Sequence, residues 1–297
     1  MILSDEHRVI VDGVARGENL LGVVVIDTRD RLTSPDSSIF VVWHDGCWVA
    51  SKSLNHRIVS LSTNGVLNNR FVLLSENGYV EFLGGGEQTQ ETIIRDINLP
   101  MTRVISIGNE IFTLGMGRQI YFRKDVNIWE PVHKETLLED RAILVGFQTL
   151  VKSGNDYFAA GWGGEIWRFD GIKWTNQGSP VNQILSDSVV SSDGEVFLCG
   201  KNGTVIRGQN GQWSVIDAEG SEEDFWSIVE YQGDIYVSST LGIYIINDTL
   251  QPVSIDVAGY KGTHYRLQVV KNDLFSFGEK DILVYRDGAW NRVSTES

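Results

Sequence analysis

The side chains best able to do chemistry in this 297-residue chain are carboxylates and aromatics, and their spacing favours recognition over bond-making. Glu219, Glu222, Glu223 and Asp224 form the densest run of charge. They read either as a docking surface for the lysines and arginines of a basic partner or as a solvated acidic loop. Glu139 and Asp140, inside a partly helical stretch at 134–147, carry the same two readings. Trp162 sits among Gly161, Gly163 and Gly164, at a turn where nothing local asks for a large ring. It serves as an exposed anchor or folds back over its own sheet. Phe225, Trp226 and Tyr260 are further candidate anchors, because aromatics carry much of the energy of protein interfaces.

Groups that would support catalysis are scattered. His7, His44, His56, His133 and His264 include no pair at metal-ligand spacing, so no metal or other cofactor is expected. Cys47 and Cys199 lie far apart, each in a predicted strand, and read as small buried hydrophobes. Gly84-Gly85-Gly86 does not lie between a strand and a helix, which argues against a phosphate cradle. No G-x-S-x-G elbow occurs, and no cysteine stands near a partner histidine.

The elements that must position these residues are short strands. Residues 183–216 hold the clearest unit: a strand to Ser191, an Asp193-Gly194 turn, a strand at Glu195–Cys199, a turn at Gly200-Lys201-Asn202-Gly203, a strand at Thr204–Arg207, then Asn210-Gly211 before Trp213. Asp-Gly and Asn-Gly reverse adjacent antiparallel strands at little steric cost, so the unit reads as a four-stranded up-and-down sheet. A turn residue followed six positions later by another recurs at Gly46, Gly78, Asn109, Asn155, Gly194, Asp234 and Asn272. The later copies repeat at about 40 residues, the length of one propeller blade. A lone sheet of this size exposes two apolar faces, and radial packing buries both. The fold expected is all-β: a seven-bladed β-propeller of four-stranded antiparallel blades forming a single domain over 1–297, with six or eight blades as the alternatives. The strand-like runs in 1–37 either complete the first blade or help to close the ring.

Composition agrees with this. The chain has 31 glycines, 5 prolines, 9 tryptophans, 9 tyrosines and 12 phenylalanines, as sheets joined by tight turns and packed through aromatics require. With 25 basic against 39 acidic residues it carries −14, which repels nucleic acid and attracts basic proteins. The first residues lack a basic, apolar leader and no run of about 18 apolar residues occurs, so a cytoplasmic, membrane-free monomer is expected.

Residues 163–174, GGEIWRFDGIKW, and 193–213, DGEVFLCGKNGTVIRGQNGQW, resemble the bacterial BNR-like and photosystem-assembly-factor-like propeller repeats. The resemblance runs from about Thr102 to Val293 and implies a propeller whose members include sialidases, assembly factors and toxin-neutralising proteins. A sialidase would need arginines converging on a substrate carboxylate and a pair of positioned carboxyl or equivalent groups. Arg168, Arg207 and Arg286 instead recur at repeat spacing, as blade-surface residues do, and the sequence at 191–197 departs from the sialidase box. The function expected is therefore a non-catalytic, protein-binding propeller: an immunity protein that plugs the active site of a basic toxin such as a nuclease. A sialidase-like hydrolase and an assembly factor for a larger complex are the alternatives.

Overall fold

The computed structural model describes residues 5–29, 37–64, 70–133, 145–209, 211–216, 222–247 and 249–293. Seven antiparallel sheets of four strands each form a ring. Blade 1 covers residues 8–54, blade 2 58–92, blade 3 101–131, blade 4 147–176, blade 5 185–215, blade 6 225–252 and blade 7 266–292. Within each blade the strands are consecutive in sequence, and the first strands of neighbouring blades touch around the axis. A seven-bladed propeller follows.

The seven apolar clusters are the seven wedges between blades. One joins blades 1 and 2 through Val14, Phe40, Leu61 and Phe71; another joins blades 5 and 6 through Phe197, Cys199, Phe225 and Ile228. Each strand therefore sends side chains to both sides, which is why so many strand runs lack a polar face.

In the first two blades the repeat is shifted from the pattern of turns. Gly46 lies between the third and fourth strands of blade 1, and Gly78 between the second and third of blade 2. The runs predicted as second strands, at 47–51 and 79–83, are the outer and third strands of their blades. A five-residue strand bounded by glycine turns looks the same at any place in a blade, so turn spacing alone could not number the strands. The N-terminal runs supply the two innermost strands of blade 1, Arg8–Gly17 and Leu20–Asp27.

The ring closes without strand exchange. Blade 7 keeps its own four strands and meets blade 1 through Ile10 N donating to Glu279 O at 2.8 Å and a reciprocal pair between Gln268 and the Ala15 backbone at 2.6 and 2.9 Å. Lys280 Nζ donates to the carbonyls of Glu6 and Arg8. Gly13 lies under the Phe277 ring, where a Cβ would come within 2.3 Å of Cδ1.

Around the axis one device recurs. A bulge in the inner strand turns a polar residue toward the next blade, where its side chain accepts a backbone N–H: Asp12 from Leu61, Ser60 from Val104, Asp187 from Ile228. Buried N–H groups at the inner edges thereby find acceptors that no ladder supplies. Asp12 also takes Arg266 of blade 7 at 2.6 Å; Asp187 takes Ser227 of blade 6 at 2.8 Å and Arg103 of blade 3 at 3.1 Å.

Candidate functional site

One face of the ring carries the second-to-third-strand turns and the connections between blades, and it gathers most of the candidate anchors. Trp162 opens a 3₁₀ turn, Trp162–Gly164, in blade 4 and is 37% exposed. The glycines around it are required. Gly163 and Gly164 hold φ of 70° and 69°, and Cβ atoms at Gly161 and Gly164 would lie 2.1 and 2.3 Å from the carbonyl oxygens of Gly146 and Val181. The turn is thus pinned to its neighbours while the indole stays accessible. Beneath it, the buried Arg118 guanidinium donates to Glu165 at 2.6 and 2.5 Å and lies 5.6 Å from the Trp167 ring.

Toward the axis, Trp226 is the bulge residue of the inner strand of blade 6, between Phe225 and Ser227. The bulge aims its indole into the mouth of the central channel, a polar cavity of about 160 Å³ also lined by Gln148, Arg103, Tyr265 and Arg266. Its Nε1 donates to Thr240 Oγ1 at 3.0 Å, Tyr265 meets it edge-on at 5.9 Å, and Lys201 Nζ stands 5.6 Å from its ring. Tyr265, at 37% exposure, and Leu241 and Ile94, at 77% and 88%, add apolar surface on the same face. Tyr265, Leu241 and Ile94 gave no signal in the sequence, because a single apolar residue in a loop carries no period.

Other candidates are placed differently. Phe225 is fully buried in the wedge between blades 5 and 6, so it is a core residue and not an anchor: the bulge sends Trp226 outward and Phe225 inward. Tyr260 is half-buried, its hydroxyl donating to Thr263 O at 3.3 Å and Arg292 lying 5.7 Å from its ring; burial pushes its phenol above the usual range. Its ring is thus engaged by its own chain. Glu139, Asp140 and Glu219 lie outside the described residues, as do residues 134–144 of the stretch expected to be partly helical, whose last residue, Phe147, instead begins the inner strand of blade 4.

Among the remaining acids, Glu222 is exposed, while Glu223 accepts the Tyr244 hydroxyl at 3.1 Å. Asp224 takes Lys201 at 3.0 Å and the Asn202 N–H at 3.2 Å. Burial raises the Asp224 carboxyl, but these donors outweigh it and leave it below the usual carboxylate range. Much of the acidity stands elsewhere: exposed Asp45, Asp170, Asp193 and Asp287 stand at turns on the opposite face, and Asp234 opens a strand just after one. Turn chemistry put them there, since aspartate is favoured where strands reverse.

The residues weighed for catalysis are structurally occupied. Arg168, Arg207 and Arg286 pair with Asp156, Glu195 and Asp273 on the second strands of their own blades, or beside them. They sit on three different blades and do not converge. His264 is buried, with Nδ1 2.8 Å from Ser276 Oγ, and burial pulls its imidazole down to about 4. His133, also buried, holds Nε2 3.2 Å from Asp96, whose carboxylate accepts the Tyr121 hydroxyl as well. Cys199 is fully buried and its thiol is pushed up by desolvation, but Cys47 is exposed, because the run taken for a second strand is the outer strand of blade 1. Among the described residues no cluster of three histidines, cysteines or carboxylates is arranged to hold a metal ion, and no helix is long and apolar enough to cross a membrane.

No protein-family model matches the chain. It is 30% identical to the immune protein Tsi7 of Pseudomonas aeruginosa over 298 aligned positions, covering 95% of this chain and 96% of that protein. Among solved structures it is similar to YCF48 bound to a D1 peptide, with a TM-score of 0.69, 16% identity and coverage of 98% and 93% of the two chains. The WD40 propeller domain of Doa1 superposes with a TM-score of 0.71 at 12% identity, covering 94% and 93%. These two likenesses are of fold.

Proposed function

The chain belongs to the family of the immune protein Tsi7 and is an immunity protein; we propose that it acts by capturing a cognate toxin on the face that carries Trp162 and Trp226, without chemistry of its own. The alignment across nearly the whole of both chains carries the immunity role, and the exposed rings on the loop face support the choice of surface.

A propeller suits capture. Seven wedges of core and an axial network of ion pairs hold the loop face rigid, so little ordering entropy is spent when a partner docks. On that face Trp162, Trp226 and Tyr265 present large rings whose backbones are fixed by turns and bulges, the arrangement expected of interface hot spots. Leu241 and Ile94 add exposed apolar side chains to the same face, and exposed Glu222 offers charge to a basic partner. Occlusion of the toxin's active site is then steric: the partner is covered, not modified. The arginine pairs Arg168–Asp156 and Arg286–Asp273 favour this over a sialidase reading, since those guanidinium groups are satisfied within their own blades.

The reading is tested by producing the toxin encoded beside this chain in a host with and without it. Survival restored by the wild type and lost with Trp162→Ala plus Trp226→Ala supports capture on this face; survival unaffected by the chain contradicts it.

A further inference from the structure

The groove between blades 1 and 2, on the face opposite Trp162, joins apolar walls to two cations that form no ion pair among the described residues. Its walls are Leu20, Phe40, Val42, Phe71 and Leu83, and it encloses about 440 Å³ beside Gly84 and Gly85. Two cations enter it. Lys52 lies on the outer strand of blade 1, opposite Phe40 in register, and shares with Leu54 the side turned toward blade 2, where Leu54 packs into the apolar cluster. Its Nζ is shielded from water and has no hydrogen-bond partner. Arg16, at the end of the inner strand, holds its guanidinium 5.4 Å from the Phe71 ring, and burial alone pulls it below its usual value.

Among the described residues no carboxylate lines this groove, although the chain has 39 acidic residues against 25 basic ones. His44 is the other titratable lining group, and it faces Asp45 at 3.3 Å, outside the apolar walls. Several other arginines meet carboxylates: Arg70 with Glu87, Arg103 with Asp187, Arg266 with Asp12, Arg286 with Asp273. An ammonium withdrawn from water without a counter-charge is unfavourable, and an anion supplied from outside removes the penalty.

We propose that this groove binds a small amphiphilic anion, its head between Lys52 and Arg16 and its hydrocarbon body along Phe40, Phe71 and Leu83. The site is separate from the toxin-capturing face and does not depend on that reading. A carboxylate and a phosphate head share the required chemistry.

Calorimetric titration of the full chain with decanoate, decyl phosphate and decyltrimethylammonium at one ionic strength tests the proposal. The expected result is a single saturable site for decanoate or decyl phosphate, at least tenfold tighter than for the cation of the same tail; the tighter head identifies the source. Lys52→Met and Arg16→Met each weaken it at least tenfold while the chain melts at the same temperature or higher. Methyl resonances of Leu20, Val42 and Leu83 shift on saturation, a readout that needs no variant. No saturable site, equal binding of the cation, unchanged affinity in both variants, or shifts confined to other wedges each overturn the proposal.

Discussion

Arg103 of blade 3 reaches past blade 4 to the carboxylate of Asp187 in blade 5, closing to 3.1 Å while also donating to Ser186 O at 3.1 Å. Asp187 in turn accepts Ser227 and the Ile228 N–H of blade 6, so one carboxylate ties non-adjacent sheets together at the axis. Asp12 does the same for blades 7, 1 and 2 through Arg266 and the Leu61 N–H. Besides the apolar wedges and the hydrogen bonds between neighbouring blades, these two side chains link blades that are not adjacent.

Removing that acceptor strands a guanidinium, a hydroxyl and a backbone N–H together. Asp187→Ala is expected to cost about 3 kcal/mol or more, because unpaired buried donors lose their hydration without replacement. Urea unfolding measures it, and Arg103→Met combined with Asp187→Ala should cost less than the two single changes summed. Strict additivity would show that the two residues do not act as a pair.

Ring closure is equally open to measurement. Gly13→Val places a branched side chain against the Phe277 ring, where even a Cβ would stand at 2.3 Å, and should cost about 2 kcal/mol through overpacking. A shortened companion, Gly13→Val with Phe277→Leu, should recover part of that loss. If the double variant is no better than the single one, the close approach is not the cause.

The Phe225 and Trp226 neighbours separate core from surface. Phe225→Ala should cost about 3 to 5 kcal/mol of stability by opening a cavity between blades 5 and 6. Trp226→Ala should leave the melting temperature within a few degrees yet weaken toxin binding at least tenfold, as loss of a hot spot does. Calorimetry of the two variants, alone and with toxin, reads both effects; equal loss of stability in the two would place Trp226 in the core.

The sequence made the blades legible wherever Asp-Gly or Asn-Gly turns framed a complete unit, as at Asp193-Gly194 and Asn202-Gly203, where strands Val196–Gly200 and Val205–Gln209 fall nearly where expected. It misnumbered strands in blades 1 and 2, where the second strand is longer or the hairpins are uneven and one turn looks like another. The exposed turn at Trp162 was legible because glycines flanked it. Phe225 was misread because a bulge, which leaves no sequence mark, decides which of two adjacent aromatics faces out. The axial carboxylates went unnoticed for a related reason: Asp12 and Asp187 are polar residues in apolar strands, and only the ring shows what they accept.

Acid should loosen the fold through His264. Its imidazole titrates at about 4 in the fold against 6.5 when exposed, so the unfolded chain binds a proton that the folded chain refuses. Stability is therefore retained above about pH 6.5 and falls as pH drops from there toward 4, by up to about 3 kcal/mol. His264→Asn removes that titration and should flatten the dependence in this window. A slope equal to that of the wild type would assign the acid sensitivity to carboxylates instead.

Hydrogen exchange on the purified complex with the co-encoded toxin tests capture by the loop face most directly. The account predicts a stable complex in which amides at 93–97, 161–165, 200–204, 222–226, 239–242 and 260–265 are slowed. Absence of a complex, or protection confined to the opposite turns at 45–46, 170–171, 193–194 and 287–288, would contradict it.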